Sequence, residues 1–193
     1  MTESAYESSP LNRAIEENMP GLVKSLIEDG MDPNGLDSVD VQPLTLAIQM
    51  DNLPIAQLLV SLGADVNLEN WNRETPLMVA VMNSSLPFIE FLLEQGAITQ
   101  VDNIEGYTPL LMAIWKSYDP LSIVRLLIEK GGANPNDTDY DGRSALMYAA
   151  LREDKALIEY LLQKGADKTL KDSSGKTAAD YTESKEIKQL LVD

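Results

Sequence analysis

The chain has no cysteine and no histidine among its 193 residues. Without cysteine there is no disulfide framework and no thiolate nucleophile, and the redox compartment stays open. Without either residue there is no zinc site built from thiolate and imidazole, and no histidine-centred triad. No run of 18 apolar residues occurs, so no membrane-spanning helix is expected. Glu3 and Glu7 stand where a secretory signal would carry Lys or Arg ahead of an apolar segment, so no export signal is expected in this stretch. A cytoplasmic location is the default expectation, with a periplasmic or secreted one open for a mature chain whose signal has been removed.

Positive charge is also scarce. Fifteen Lys and Arg face 31 Asp and Glu, for a formal net charge of −16, which argues against nucleic acid or anionic lipid as a partner. The imbalance is uneven: residues 1 to 60 hold 10 acids and 2 bases (net −8), residues 61 to 130 hold 9 and 4 (−5), and residues 131 to 193 hold 12 and 9 (−3). A solubilising surface accounts for this, and so does an N-terminal half that steers a basic partner. The 44% hydrophobic content fits a folded chain. Residues 1 to 8 read as a polar tail.

A repeat organises what is there. Gly30, Gly63 and Gly96 lie 33 residues apart, Gly132 follows after 36 and Gly165 after another 33. Leu11, Leu44, Leu77, Leu110 and Leu146 keep the same beat, each followed three residues later by Ala14, Ala47, Ala80, Ala113 and Ala149. In TPLMVAVMNSSLPFIEFLLEQGAI, Thr75 is placed to cap a helix and Pro76 suits its first position, having no N–H to leave unpaired. Leu77 and Ala80 share one face. After a break at 83 to 86, Phe88, Ile89, Leu92 and Leu93 recur at helical spacing, and Gly96 ends the second helix in a left-handed conformation. One such unit cannot bury its apolar stripe alone, so the units must stack.

The units resemble the ankyrin repeat family. The family pattern D-x-x-G-x-T-P-L-H-x-A, then a second helix and G-A-D-x-N, appears as NIEGYTPLLMA (103 to 113) and LLVSLGADVN (58 to 67), with weaker copies DSVDVQPLTLA (37 to 47), NWNRETPLMVA (70 to 80) and DYDGRSALMYA (139 to 149). The resemblance implies an all-α solenoid over residues 9 to 193, with repeats near 9–36, 37–69, 70–102, 103–138 and 139–171 and a shortened cap over 172–193. Thr45, Met78, Leu111 and Met147 replace the family's usual histidine, so bracing between loops is expected to come from packing. The fourth unit carries two extra residues around KSYDPLS and a doubled Gly131–Gly132.

Three local strings imitate chemistry. SSGKT (173 to 177) is the end of a phosphate-binding loop, but Leu170 stands where the first glycine belongs. DTDYDG (137 to 142) opens a calcium loop whose twelfth position is Tyr148 instead of Glu. Both read as repeat turns. Carboxylate pairs are plentiful, yet a shallow stacked groove offers no water-excluding pocket for acid–base work. No catalytic residue, metal site or cofactor is expected.

In the ankyrin architecture the turn tips and the exposed side of each first helix form one concave surface. The resemblance places Trp71, Ile104 and Tyr140, with Ser38, at one turn position, and Glu74, Tyr107 and Arg143 at another. Met82, Trp115 and Leu151 share a first-helix position, with Met50 beside them. Trp71, Asn72, Glu74, Tyr107, Trp115, Tyr140, Met82, Ile104, Met50 and Arg143 are thus the candidate protein-binding residues, aromatic in the middle and charged at the rim. The bland alternative folds Trp71 over a neighbouring turn and packs Trp115 on the KSYDP segment. The functional expectation is a non-catalytic, monomeric module that binds a basic partner protein. Its alternative is a dedicated inhibitor, or self-protection protein, covering the active site of a basic enzyme such as a nuclease or cell-wall hydrolase.

Overall fold

The computed structural model describes residues 9–36 and 41–192. The polar tail over 1 to 8 and the Ser38 turn position lie outside the described residues. The helices come in pairs: α1 (Pro10–Glu16) with α2 (Pro20–Glu28), α3 (Pro43–Gln49) with α4 (Leu53–Ser61), α5 (Pro76–Met82) with α6 (Leu86–Glu94), α7 (Pro109–Lys116) with α8 (Pro120–Glu129), and α9 (Ala145–Leu151) with α10 (Lys155–Gln163). The last unit replaces its first helix by a 3-10 turn, Ala178–Tyr181, ahead of α11 (Lys185–Val192). First helices stack in order, α1 on α3, α5, α7 and α9, and the 3-10 turn closes the row against α9. Second helices form an outer row, with α2 against α4, α6 against α8 and α8 against α10. Asp180, Glu183 and Lys185 on the final unit face water, as a terminal cap requires.

Local chemistry explains the units. The hydroxyls of Ser9, Thr75, Thr108 and Ser144 each accept the backbone N–H three residues on, and Pro10, Pro43, Pro76 and Pro109 open their helices. The repeated Leu and Ala of the first helices are all buried, and they join Val23, Ile55, Leu59, Phe88, Ile89, Leu92, Ile123, Leu127, Leu157 and Leu161 in one continuous core. Alanine at the shared position lets first helices approach without a gap. Gly96 is left-handed, with φ 86°, as a C-terminal glycine should be.

The turn inside a pair is sharper than the sequence suggests. Asn18, Asp51, Ser84 and Glu153 adopt φ between 52° and 55° to reverse the chain between paired helices, a region that non-glycine residues enter only where surroundings enforce it. The fourth unit avoids this conformation. Its two extra residues let Ser117 stay extended (φ −81°, ψ 148°), and the Ser117 hydroxyl lies 3.0 Å from that of Ser84. The doubled glycine has a division of labour: Gly132 is left-handed (φ 66°), while a Cβ on Gly131 would sit 2.7 Å from Leu127 O and from Thr99 Cγ2.

Loop bracing by packing alone is not what forms. The asparagine that ends the G-A-D-x-N stretch, or its counterpart, supplies hydrogen bonds as well. The Asn34, Asn67 and Asn136 amides donate to the carbonyls of Gly63, Gly96 and Gly165 and accept from the N–H of Asp65, Ile98 and Asp167, at 2.7 to 3.3 Å. Each bridge ties one unit's terminal loop to the next through two bonds. At the other end, Ile104 N–H donates to Asn72 O and Ser173 N–H to Asp141 O.

Candidate functional site

Each turn tip is folded by its own first acid or amide. The Asn70 side chain accepts the N–H groups of Asn72 and Glu74, Asn103 those of Glu105 and Tyr107, Asp139 those of Asp141 and Arg143, and Asp172 those of Ser174 and Lys176. Asp139 and Asp172 are therefore turn formers, as their place in the repeat requires. With the tips locked, the residues between them project in a row.

The projecting residues are apolar. Trp71 is 79% exposed at its tip, Tyr140 63%, Ile104 54%, and Met50, Met82, Trp115 and Leu151 are also exposed. Asn72 is exposed beside Trp71, and Glu74 is half-buried, taking a hydrogen bond from the Asn70 amide. Trp71 does not fold over a neighbour. The Trp115 ring lies 5.6 Å from that of Tyr148, one repeat on, at 55°. Tyr118, within the insertion, is instead 98% exposed.

Tyr140 behaves differently from the other candidates. Its ring covers Gly106, where an added Cβ would come within 2.6 Å of it. Its hydroxyl reaches back to Asn103 O and to Arg73, which in turn holds Asp102 at 3.0 Å. Tyr140 thus clasps three successive turns as well as exposing a ring face.

Tyr107, Trp115 and Arg143 converge. With Met147, Tyr148, Leu151 and Tyr181 they line a recess of about 210 Å³ at the C-terminal end of the face, a partly enclosed hollow in what the sequence reads as a shallow groove. Tyr148 forms its floor. It packs edge-on against Tyr107 at 6.1 Å, and its hydroxyl donates to the buried Asp139 carboxylate. Burial first, and then that bond, push the phenol pKa well above its ordinary value, so it stays a neutral donor. Tyr181 repeats the arrangement one unit later by donating to Asp172, whose pKa that bond lowers. Arg143 is held at the wall by the Tyr181 hydroxyl at 3.3 Å and by Asp141 at 3.2 Å.

Tyr148 and Tyr181 escape a reading that looks only for variable surface positions. A signal does exist: Asp139 and Tyr148 recur, 33 residues later, as Asp172 and Tyr181. Among the described residues, no group of three or more Asp and Glu is arranged to hold a metal ion.

Residues 2–70, 65–139, 99–172 and 119–192 each match the family model for ankyrin repeats (three copies). This chain belongs to the ankyrin repeat family, whose members are generally protein–protein interaction modules and typically non-catalytic. It is similar to the ankyrin repeat protein L271 of Acanthamoeba polyphaga mimivirus, 44% identical over 62 residues, which is 32% of this chain and 8% of that protein. It is also similar to ankyrin repeat and SAM domain-containing protein 6 of Rattus norvegicus, 40% identical over 60 residues, 31% of this chain and 7% of that one. The chain thus spans under a tenth of the length of these two curated relatives. Among solved structures, the ankyrin repeat domain of Bcl-3, described as a unique member of the IkappaB protein family, superposes with a TM-score of 0.88 at 30% identity, over 96% of this chain and 82% of that one. The ankyrin repeat protein EF0377 superposes with a TM-score of 0.83 at 27% identity, over 97% and 98%.

Proposed function

We propose that this protein is a non-catalytic binding module, monomeric when free, that holds a partner protein on its concave face. One observation carries the reading. Met50, Trp71, Met82, Ile104, Trp115, Tyr140 and Leu151 are all solvent-exposed and occupy turn tips and first-helix ends of consecutive repeats. Single exposed apolar residues need no explanation, whereas a continuous row of them does. Large rigid aromatics are the side chains that dominate interface energetics. The net charge of −8 over residues 1 to 60 supports a cationic surface on the part of the partner that meets the N-terminal repeats.

An inhibitor is the second reading, and Trp71 favours it. At 79% exposure on a turn tip it protrudes, which suits entry into a partner's cleft, such as the active site of a basic enzyme. The test is paired capture with wild type and a Trp71→Ala/Trp115→Ala variant of confirmed fold. Partners held by wild type and lost by the variant support the concave face, and equal capture refutes it. A basic hydrolase among the lost partners, with an on-rate falling steeply as salt rises, selects the inhibitor reading.

A further inference from the structure

The asparagines that bridge successive loops differ in the residue that follows them. Asn67 precedes Leu68 and Asn136 precedes Asp137, whereas Asn34 precedes Gly35 and forms the only asparagine–glycine pair in the chain. The side-chain amide carbon of an asparagine is open to attack by the backbone nitrogen of the next residue. A side chain on that residue shields the nitrogen and restricts the backbone rotation that brings it within reach. Glycine does neither. The covalently weakest bridge is thus the one between the first and second repeats.

Water reaches this loop: Asn34 and Gly35 are half-buried, between exposed Asp32 and Leu36. While the loop is closed the reacting groups are occupied. The Asn34 amide donates to Gly63 O at 3.2 Å and accepts from the Asp65 N–H at 2.8 Å, and the Gly35 N–H donates to Asp32 O at 3.1 Å. Attack therefore starts from an opened loop, and the first unit is where opening costs least. Among the described residues its helices have a neighbouring unit on one side only, α1 against α3 and α2 against α4, whereas α5 lies between α3 and α7. Stacked repeats draw their stability from the interfaces they share, and a unit with one such interface opens before a unit with two.

We propose that Asn34 is a site of spontaneous deamidation, and that the reaction irreversibly cuts the bridge between the first two repeats. The Gly35 nitrogen gives up its proton to solvent and bonds to Asn34 Cγ, closing a five-membered imide. The Cγ–Nδ2 bond breaks, and the amide nitrogen takes a proton from solvent and leaves as ammonia. Water then adds its hydroxyl to one of the two imide carbonyls while the ring nitrogen regains a proton, so that residue 34 becomes aspartate or isoaspartate.

Either product unmakes the bridge. A carboxylate still accepts from the Asp65 N–H but has no hydrogen for Gly63 O, which is left facing a negative charge without its donor. The new charge falls beside Asp32, whose carboxylate holds the residue 34 N–H, in a stretch whose net charge is already −8 over residues 1 to 60. Isoaspartate also adds a methylene to the main chain and moves the Gly35 N–H away from Asp32 O. The core contacts remain, as do the bonds from Asn12 to Val41 O and from Asn52 to Asn18, so the first helix pair loosens without leaving the stack. This inference is independent of the concave-face reading.

The test holds the full chain in warm, mildly alkaline buffer beside the capped peptide DPNGLD and follows both by tandem mass spectrometry, with isoaspartate separated by chromatography. The expected result is the mass gain of an amide becoming an acid at Asn34, in both product forms, slower than in the peptide and ahead of any gain at Asn67 or Asn136. Gly35→Ala, whose added Cβ meets Asp32 O at 3.2 Å, and Asn34→Gln, which would have to close a larger ring, should each suppress it. Asn34→Asp should speed amide hydrogen exchange across α1 and α2 about fivefold and leave α7 to α10 unchanged. The site is refuted if the folded chain keeps Asn34 intact after the peptide has fully converted, or if Asn67 or Asn136 converts as fast. The loosening is refuted if α1 and α2 exchange at the wild-type rate in both Asn34→Asp and the aged chain.

Discussion

Tyr148→Phe removes one hydroxyl under the recess, which donates to Asp139 and also lies 3.5 Å from the Tyr107 hydroxyl. Tyr148 is 3% exposed and the Asp139 carboxylate that accepts its hydroxyl proton is 7% exposed, so water does not replace what the substitution removes. Phenylalanine keeps the ring contacts to Trp115 and Tyr107 and deletes the hydroxyl, whose principal bond is the one to Asp139. A hydrogen bond to a charged group contributes about 1.5 to 3 kcal/mol, and leaving the acceptor buried without it adds to the loss. The expected destabilisation is about 2 kcal/mol, or about 4 to 8 °C in Tm for a chain of this size. Urea unfolding followed by circular dichroism, with a double-mutant cycle against Asp139→Asn, measures it. The same deletion at Tyr181, which is less buried, should cost less. A loss under about 0.5 kcal/mol for Tyr148→Phe, or no coupling to Asp139, would refute the view that this pair holds the recess floor in place.

Three further outcomes are expected. Trp71→Ala should change stability by less than about 0.5 kcal/mol and weaken partner binding by about 2 kcal/mol or more, whereas Leu92→Ala, in the core, should cost roughly 2 to 5 kcal/mol of stability; equal melting shifts for the two would sink the assignment of Trp71 to a binding surface. Asn136→Ala removes both bonds of a loop bridge and should cost about 1 kcal/mol, read most clearly as faster hydrogen exchange near Gly165 and Asp167. Acid should loosen the C-terminal repeats first. Hydrogen bonds lower the pKa values of Glu129 (from Lys164), Asp167 (Thr169), Asp172 (Tyr181), Asp180 (the Thr177 N–H) and Glu186 (Lys155). A depressed folded pKa contributes stability above the ordinary carboxylate range near ~4 and loses it as pH falls through the folded value. Exchange protection at pH 3 that falls evenly along the chain would contradict this ordering.

Much of this architecture is written in local chemistry. The 33-residue beat of Leu and Ala needs a buried row of first helices, the Thr75–Pro76 pair starts a helix wherever it stands, and Gly96 can end one because it alone tolerates φ 86° without strain. Such signals act within a few residues, so the units are legible one by one. The exposure of Trp71, Met82 and Ile104 follows once the units are laid over one another, since equivalent positions of a solenoid face the same way.

What depends on distance was not legible in that way. The asparagine bridges join residues 29 to 31 apart, and nothing in GADVN by itself shows which loop its asparagine will reach. Tyr140 reads as one exposed aromatic, yet its hydroxyl depends on Arg73, 67 residues earlier. The recess exists only because the fourth, fifth and final units bring Tyr107, Trp115, Tyr148 and Tyr181 to one place, with Arg143 among them. The sequence by itself determined a stack of helical units, its acidity and which residues point outward, because propensity and periodicity are local. Only the tertiary structure decided which outward residues share a pocket and which are tied down, because those facts depend on how successive repeats are set against one another.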